Sequence, residues 1–138
     1  MYRKIIVPVD IAQVERGETI LRRAEKIAEA DGDIILLNVV EDLPSYLAID
    51  VPAGLIEGAL KEARQVLTAL KVRCGSRARI EIRTGHAARE ILAAAQEHAA
   101  DLILVASHRP DLSNYIFGST ADRVVRHAGC SVLVDRVN

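Results

Sequence analysis

Three apolar runs govern what this chain can become: KIIVPV at 4–9, IILLNVV at 34–40 and LILVA at 102–106. Each is too short for a helix and too continuous for a strand with one wet face. Each therefore reads as a central strand covered on both sides, the pattern of a parallel sheet. ARIEIR at 78–83 alternates instead, with Ile80 and Ile82 on one side and Arg79, Glu81 and Arg83 on the other, which suits an edge strand. SVLV at 131–134 reads as a fifth, short strand. Its apolar character leaves open whether its own chain or a partner covers it.

Helical spacing fills the intervals. Ile20, Leu21, Ala24, Ile27 and Ala28 form one stripe, and Leu55, Ile56, Ala59, Leu60, Ala63, Val66, Leu67 and Leu70 form another. A third helix is expected from His86 to Ala99 around Ile91, Leu92 and Ala95. A fourth is expected from Ser119, where Ser119 and Asp122 resemble a capping box with the shorter acid. Alternation of this kind, with right-handed crossovers, predicts a doubly wound five-stranded parallel α/β sheet with helices on both faces. At 138 residues, half of them hydrophobic, residues 1–138 are expected to form one domain.

Charge narrows the partners. With 18 Lys plus Arg against 19 Asp plus Glu, the net charge of -1 offers no field for nucleic acid or an anionic membrane. The basic and then apolar opening MYRKIIVPVD reaches Asp10 too soon for a signal peptide or a membrane span, so a cytoplasmic protein is expected. Cys74 and Cys130 match no metal-ligand spacing and read as buried or idle thiols. His86, His98 and His127 fit a helix start, a helix face and a helix end.

In an open α/β sheet, ligands bind beyond the carboxyl ends of the strands, where the strand order reverses. The residues there are Pro8, Val9 and Asp10; Asn38, Val39, Val40 and Glu41; Thr84, Gly85 and His86; and Ala106 to Arg109. Gly118, Ser119 and Thr120 open the last helix with a close backbone approach, free N–H groups, two hydroxyls and the positive end of a helix dipole, which suits a phosphate. The same three residues equally fit a plain turn and cap, and Asp10, on local sequence alone, fits a solvated acid capping the next turn better than a ligand contact. The stretch 41–54, with two prolines and a glycine, reads either as a binding loop or as a surface excursion.

KIIVPVD, the LLNVV strand, the ILVASH strand end, GST at the last helix and the closing VVRHAGCSVLV together resemble the universal stress protein family over essentially the whole chain. The SHRPD wording resembles its bacterial F and G branch. The resemblance implies a Rossmann-like fold of the adenine nucleotide alpha hydrolase type, ATP binding with Mg²⁺ or Mn²⁺, and a homodimer through the last strand at 131–134. It implies that Pro8, Val9 and Val39 enclose adenine, and that Asp10 holds ribose hydroxyls or the phosphate-bound metal. Val105 and Ala106 would line the adenine and ribose side, and Ser107, His108, Arg109, Gly118, Ser119 and Thr120 would face ribose and phosphates.

The chain departs from the family's Gly-two-residues-Gly-nine-residues-Gly-Ser/Thr motif. Ala106 and Arg109 stand at its first two glycines, and the loop is one residue shorter. Pro110 removes an N–H, while the Arg109 guanidinium brings several donors of its own. A nucleotide-free scaffold acting through dimerisation and an unidentified protein partner is the alternative, since some relatives lack the motif and do not bind ATP. A Ser107–His108–Asp10 hydrolase lacks the G-x-S-x-G elbow, and a receiver domain lacks its acids. No residue is assigned a catalytic role, and at most slow ATP hydrolysis is expected.

Overall fold

The computed structural model describes residues 1–41, 53–107 and 118–136. The expected runs form strands β1 (Tyr2–Pro8), β2 (Ala28–Glu41), β3 (Arg79–Gly85), β4 (Leu102–Ser107) and β5 (Ser131–Arg136). They lie in one parallel sheet in the order β3-β2-β1-β4-β5. Helices α1 (Val14–Ile27), α2 (Ala53–Arg73), α3 (Ala87–Glu97) and α4 (Ser119–His127) connect them.

Apolar continuity in the central strands has the expected cause, because alternate side chains serve two cores. Ile5, Val7, Ile34, Leu36, Leu102 and Leu104 pack with Ile20, Leu21, Leu67 and Leu70 of α1 and α2. Ile6, Ile35, Leu37, Ile103 and Val105 pack on the other face with Ala88, Ile91, Ala121 and Val124 of α3 and α4. Burying one such side chain contributes about 1.5–3 kcal/mol, which makes a polar replacement on either face costly. Strand β3 is an edge strand as its alternation predicts, with Ile80 and Ile82 against the α1–α2 core.

Several local expectations need correction. Ala28 does not extend the α1 stripe; it takes extended geometry (φ -71°, ψ 147°) and begins β2. Ser119 does not cap α4. Gly118 occupies the cap with φ -54° and ψ 151°, no side chain bonds the cap, and Asp122 pairs with Arg126 at 3.1 Å. Leu55 and Ile56 belong to the α2 stripe but stay 57% and 51% exposed. The buried part of α2 begins at Ala63 and continues through Leu67 and Leu70, so its first turns lie off the core formed by the described residues. Cys74 and Cys130 are half-buried free thiols, and burial raises both pKa values. His98 caps the end of α3 and bonds Glu81 Oε1 through Nε2 at 2.8 Å.

Between β1 and β4 the chain's direction across the sheet reverses, since β2 and β3 build to one side and β5 to the other. Here the ladder is short. It joins Ile5 to Leu102 and Ile6 to Ile103, while β1 continues to Pro8 and β4 to Ser107. Divergence of the two central strands at their carboxyl ends opens the sheet at its switch point.

Candidate functional site

A cleft of about 560 Å³ occupies that opening. Of the positions expected to bind a ligand, it gathers Pro8, Val9, Asp10, Val39, Val105, Ala106, Ser107, Gly118, Ser119 and Thr120. The remaining two, His108 and Arg109, lie outside the described residues.

Both backbone groups of Val9 are held, which fixes one wall. Its N–H donates to the Leu37 carbonyl and its carbonyl accepts from Asn38 Nδ2, each at 2.8 Å. Asn38 is buried, so that amide bond is sheltered from competing water. Helix α1 closes on the same wall through Gly17, where a Cβ would sit 2.7 Å from Val9 Cγ1. Only a residue without a side chain allows this approach.

Asp10 follows directly. It caps the 3-10 turn Ile11–Gln13, and Oδ1 accepts from the Ala12 N–H at 2.9 Å. The capping role that the sequence left open is therefore real. It is also compatible with a ligand role, because the cap fixes one oxygen of an exposed carboxylate at the cleft wall and leaves Oδ2 without a hydrogen bond among the described residues.

The opposite wall is the start of α4. The Asp122 N–H bonds the Gly118 carbonyl at 3.0 Å, so the amides of Ser119, Thr120 and Ala121 precede the helical ladder. These amides and the helix dipole favour an anion. A Cβ on Gly118 would meet nothing within 4 Å among the described residues, and Gly118 lines the cleft. A carboxylate that can meet hydroxyls or a phosphate-bound cation thus faces a helix start that can meet phosphate. No group of three His, Cys, Asp or Glu that could hold a metal occurs among the described residues.

The cleft also contains Asn38 and Glu41, which the sequence placed at a strand end without a binding role, and residues that sequence reasoning did not select: Gln13, Arg16 and Gly17 from α1 and its approach, Leu37 from β2, Ala87 and Ile91 from α3, and Ala121. A signal existed for some of them. Asn38 is the lone polar residue in IILLNVV, and Gln13, Arg16 and Gly17 share the helical face of the buried Ile20.

The Universal stress protein family model matches residues 1–136. Universal stress protein G of Shigella flexneri is 32% identical over 142 residues, covering 99% of this chain and 100% of that protein. The solved structure of hypothetical protein MJ0577 superposes with a TM-score of 0.82 at 24% identity, covering 100% of this chain and 98% of that one. A universal stress protein solved in complex with cAMP superposes with a TM-score of 0.62 at 21% identity, covering 97% of this chain and 96% of that one.

Proposed function

Because the chain belongs to the universal stress protein family, we propose that its cleft binds ATP together with Mg²⁺ or Mn²⁺ and that the protein is a cytoplasmic, dimeric nucleotide sensor of the stress response. The observation that carries this reading is the pairing of Asp10 with the open first turn of α4 across the divergence of β1 and β4. That the same fold exists in complex with cAMP supports an adenine nucleotide in particular.

Each residue has a role that follows from its place. Pro8, Val9 and Val39 offer apolar surface to the adenine, with Val105 and Ala106 on the ribose side. Asp10 Oδ2 takes ribose hydroxyls or the bound cation. Ser107, Gly118, Ser119 and Thr120 take ribose and phosphates, and His108 and Arg109 are assigned to the same end by motif alone. When bound, the cation neutralises phosphate charge beside Asp10. The chain's own part is to hold the nucleotide between a fixed wall and a helix start, which suits binding more than rapid turnover. Strand β5 supplies the dimer contact: it ends the sheet, and Leu133 is 37% exposed on it.

Calorimetric titration of nucleotide-free protein with ATP, AMP and GTP in Mg²⁺ tests the reading. The expected result is a micromolar dissociation constant for ATP, about -8 kcal/mol, with weaker binding of GTP. No heat for any nucleotide and an unmoved melting temperature would favour the nucleotide-free scaffold, to which the departures at Ala106, Arg109 and Pro110 also point.

A further inference from the structure

A second concavity, of about 870 Å³, runs between α3 and α4 and reaches Gly129 and Cys130 at the turn into β5. Its floor is apolar and built largely from alanine, with Ala88 and Ala95 buried and Leu92 and Ala100 half-buried. Its rim is polar and exposed: Arg89 and Gln96 on α3, Arg123 and His127 on α4.

The charge of this groove is one-sided. Among the described residues, no Asp or Glu lines it. Arg89 and Arg123 form no ion pair among the described residues, whereas Arg126, three residues beyond Arg123, is paired with Asp122, and Arg83 on the neighbouring strand is paired with Glu81, Glu90 and Glu97. For a chain of net charge -1, two guanidiniums without counter-charge flanking one apolar trough are a local asymmetry. An exposed rim and a half-buried floor cannot enclose a small molecule, which normally buries most of its surface. They can receive a segment laid along them, and the alanines let that segment's backbone approach closely. Helix α3 is 11 residues, roughly 16 Å or three turns, which sets the length of a matching helix.

We infer that the α3–α4 groove is a docking surface for an acidic amphipathic helix of a partner protein, with the helix's apolar side chains over Leu92 and the alanine floor and its carboxylates on Arg89 and Arg123. The inference requires no ligand in the nucleotide cleft.

The test uses the full chain and a fluorescein-labelled amphipathic peptide of leucine, alanine and glutamate, with its lysine-for-glutamate counterpart as control. Fluorescence anisotropy should show binding of the acidic peptide that weakens with salt, no binding of the basic one, and a loss of roughly tenfold or more in an Arg89→Glu/Arg123→Glu variant of unchanged melting temperature. Amide shift mapping should place the peptide on Leu92, Gln96, Arg123 and His127. Absent binding, equal binding by the variant, or a map centred on β5 or on the nucleotide cleft would each overturn the inference. So would sedimentation with phosphatidylglycerol vesicles that the double variant abolishes, which would assign the groove to a membrane surface.

Discussion

Replacing Gly17 by alanine places a methyl group 2.7 Å from Val9 Cγ1 and 3.3 Å from Leu70 Cδ2. Two effects oppose. Alanine is favoured over glycine inside a helix by about 1 kcal/mol. Against that, carbon atoms settle at about 3.5–4.0 Å, so the methyl group is roughly 1 Å too close to Val9. Val9 has little room to yield, because it is 4% exposed and both its backbone groups are bonded at 2.8 Å. Turning its branched side chain off a rotamer costs about 0.5–1.5 kcal/mol, and overpacking a core costs about 1–3 kcal/mol. The net expectation is a loss of about 1 kcal/mol. With an unfolding entropy of about 2.1 cal/mol/K per residue over 138 residues, that lowers Tm by roughly 3–4 °C. Gly58→Ala is the matched control: it lies inside α2 and its Cβ would meet nothing within 4 Å, so its Tm should rise by a similar amount. Differential scanning calorimetry of both variants decides the matter. A Gly17→Ala protein as stabilised as Gly58→Ala would refute the argument that Val9 is clamped. Because Val9 forms the proposed adenine wall, the Gly17 variant should also bind ATP more weakly.

Four further outcomes follow from the same geometry. Asn38→Ala removes the bond to the Val9 carbonyl and should cost about 1–3 kcal/mol in urea unfolding while weakening ATP in calorimetry; a change in neither would deny Asn38 its positioning role. Asp101 has a depressed pKa, since burial alone would raise it but the Arg3 and Lys4 N–H groups, at 2.9 and 3.0 Å, outweigh that. Its contribution, about 1 kcal/mol, is therefore full above the unfolded carboxyl pKa and lost as pH falls through the lower folded value, and an Asp101→Asn protein should show a flatter acid limb in Tm against pH. Arg83, its side chain 18% exposed, is held protonated first by Glu97 and also by Glu81 and Glu90, and Arg83→Met should destabilise by about 1–3 kcal/mol at pH 7, with the deficit narrowing as acid protonates the carboxylates. Leu133→Lys should convert a dimer to a monomer in light scattering, and an unchanged mass would place the contact elsewhere.

The features that sequence exposed were those carried by local pattern. Continuous runs around Ile6, Leu36 and Ile103 gave away two-sided burial, and the alternation of Ile80 and Ile82 with charged residues gave away an edge. What escaped depends on distant partners or on backbone angles. Asn38 matters through a carbonyl 29 residues away, and nothing near it announces that bond. Ser119 has the right side chain for a cap, but the backbone turns one residue earlier, at Gly118. Leu55 and Ile56 continue a faultless stripe, yet their helix meets the core only from Ala63 onward. Much of the cleft was legible because strand ends at a switch point are a rule of the architecture; Gln13 and Arg16 showed only a helical face shared with Ile20, because they enter from the helix that follows.

The two ends of the sheet are unlike. Along β3, Arg79 is paired with Asp33 and Arg83 with three carboxylates, so an incoming strand would have to disturb several ion pairs to lie beside it. Along β5 stand Val132, Leu133 and Val134, followed by an ion pair between Asp135 and Arg23. In the proposed dimer, that difference would act as a built-in stop. Two copies joined through their β5 strands around a two-fold axis would present charged β3 strands at both outer ends, so the joined sheet terminates there and does not grow into a fibre.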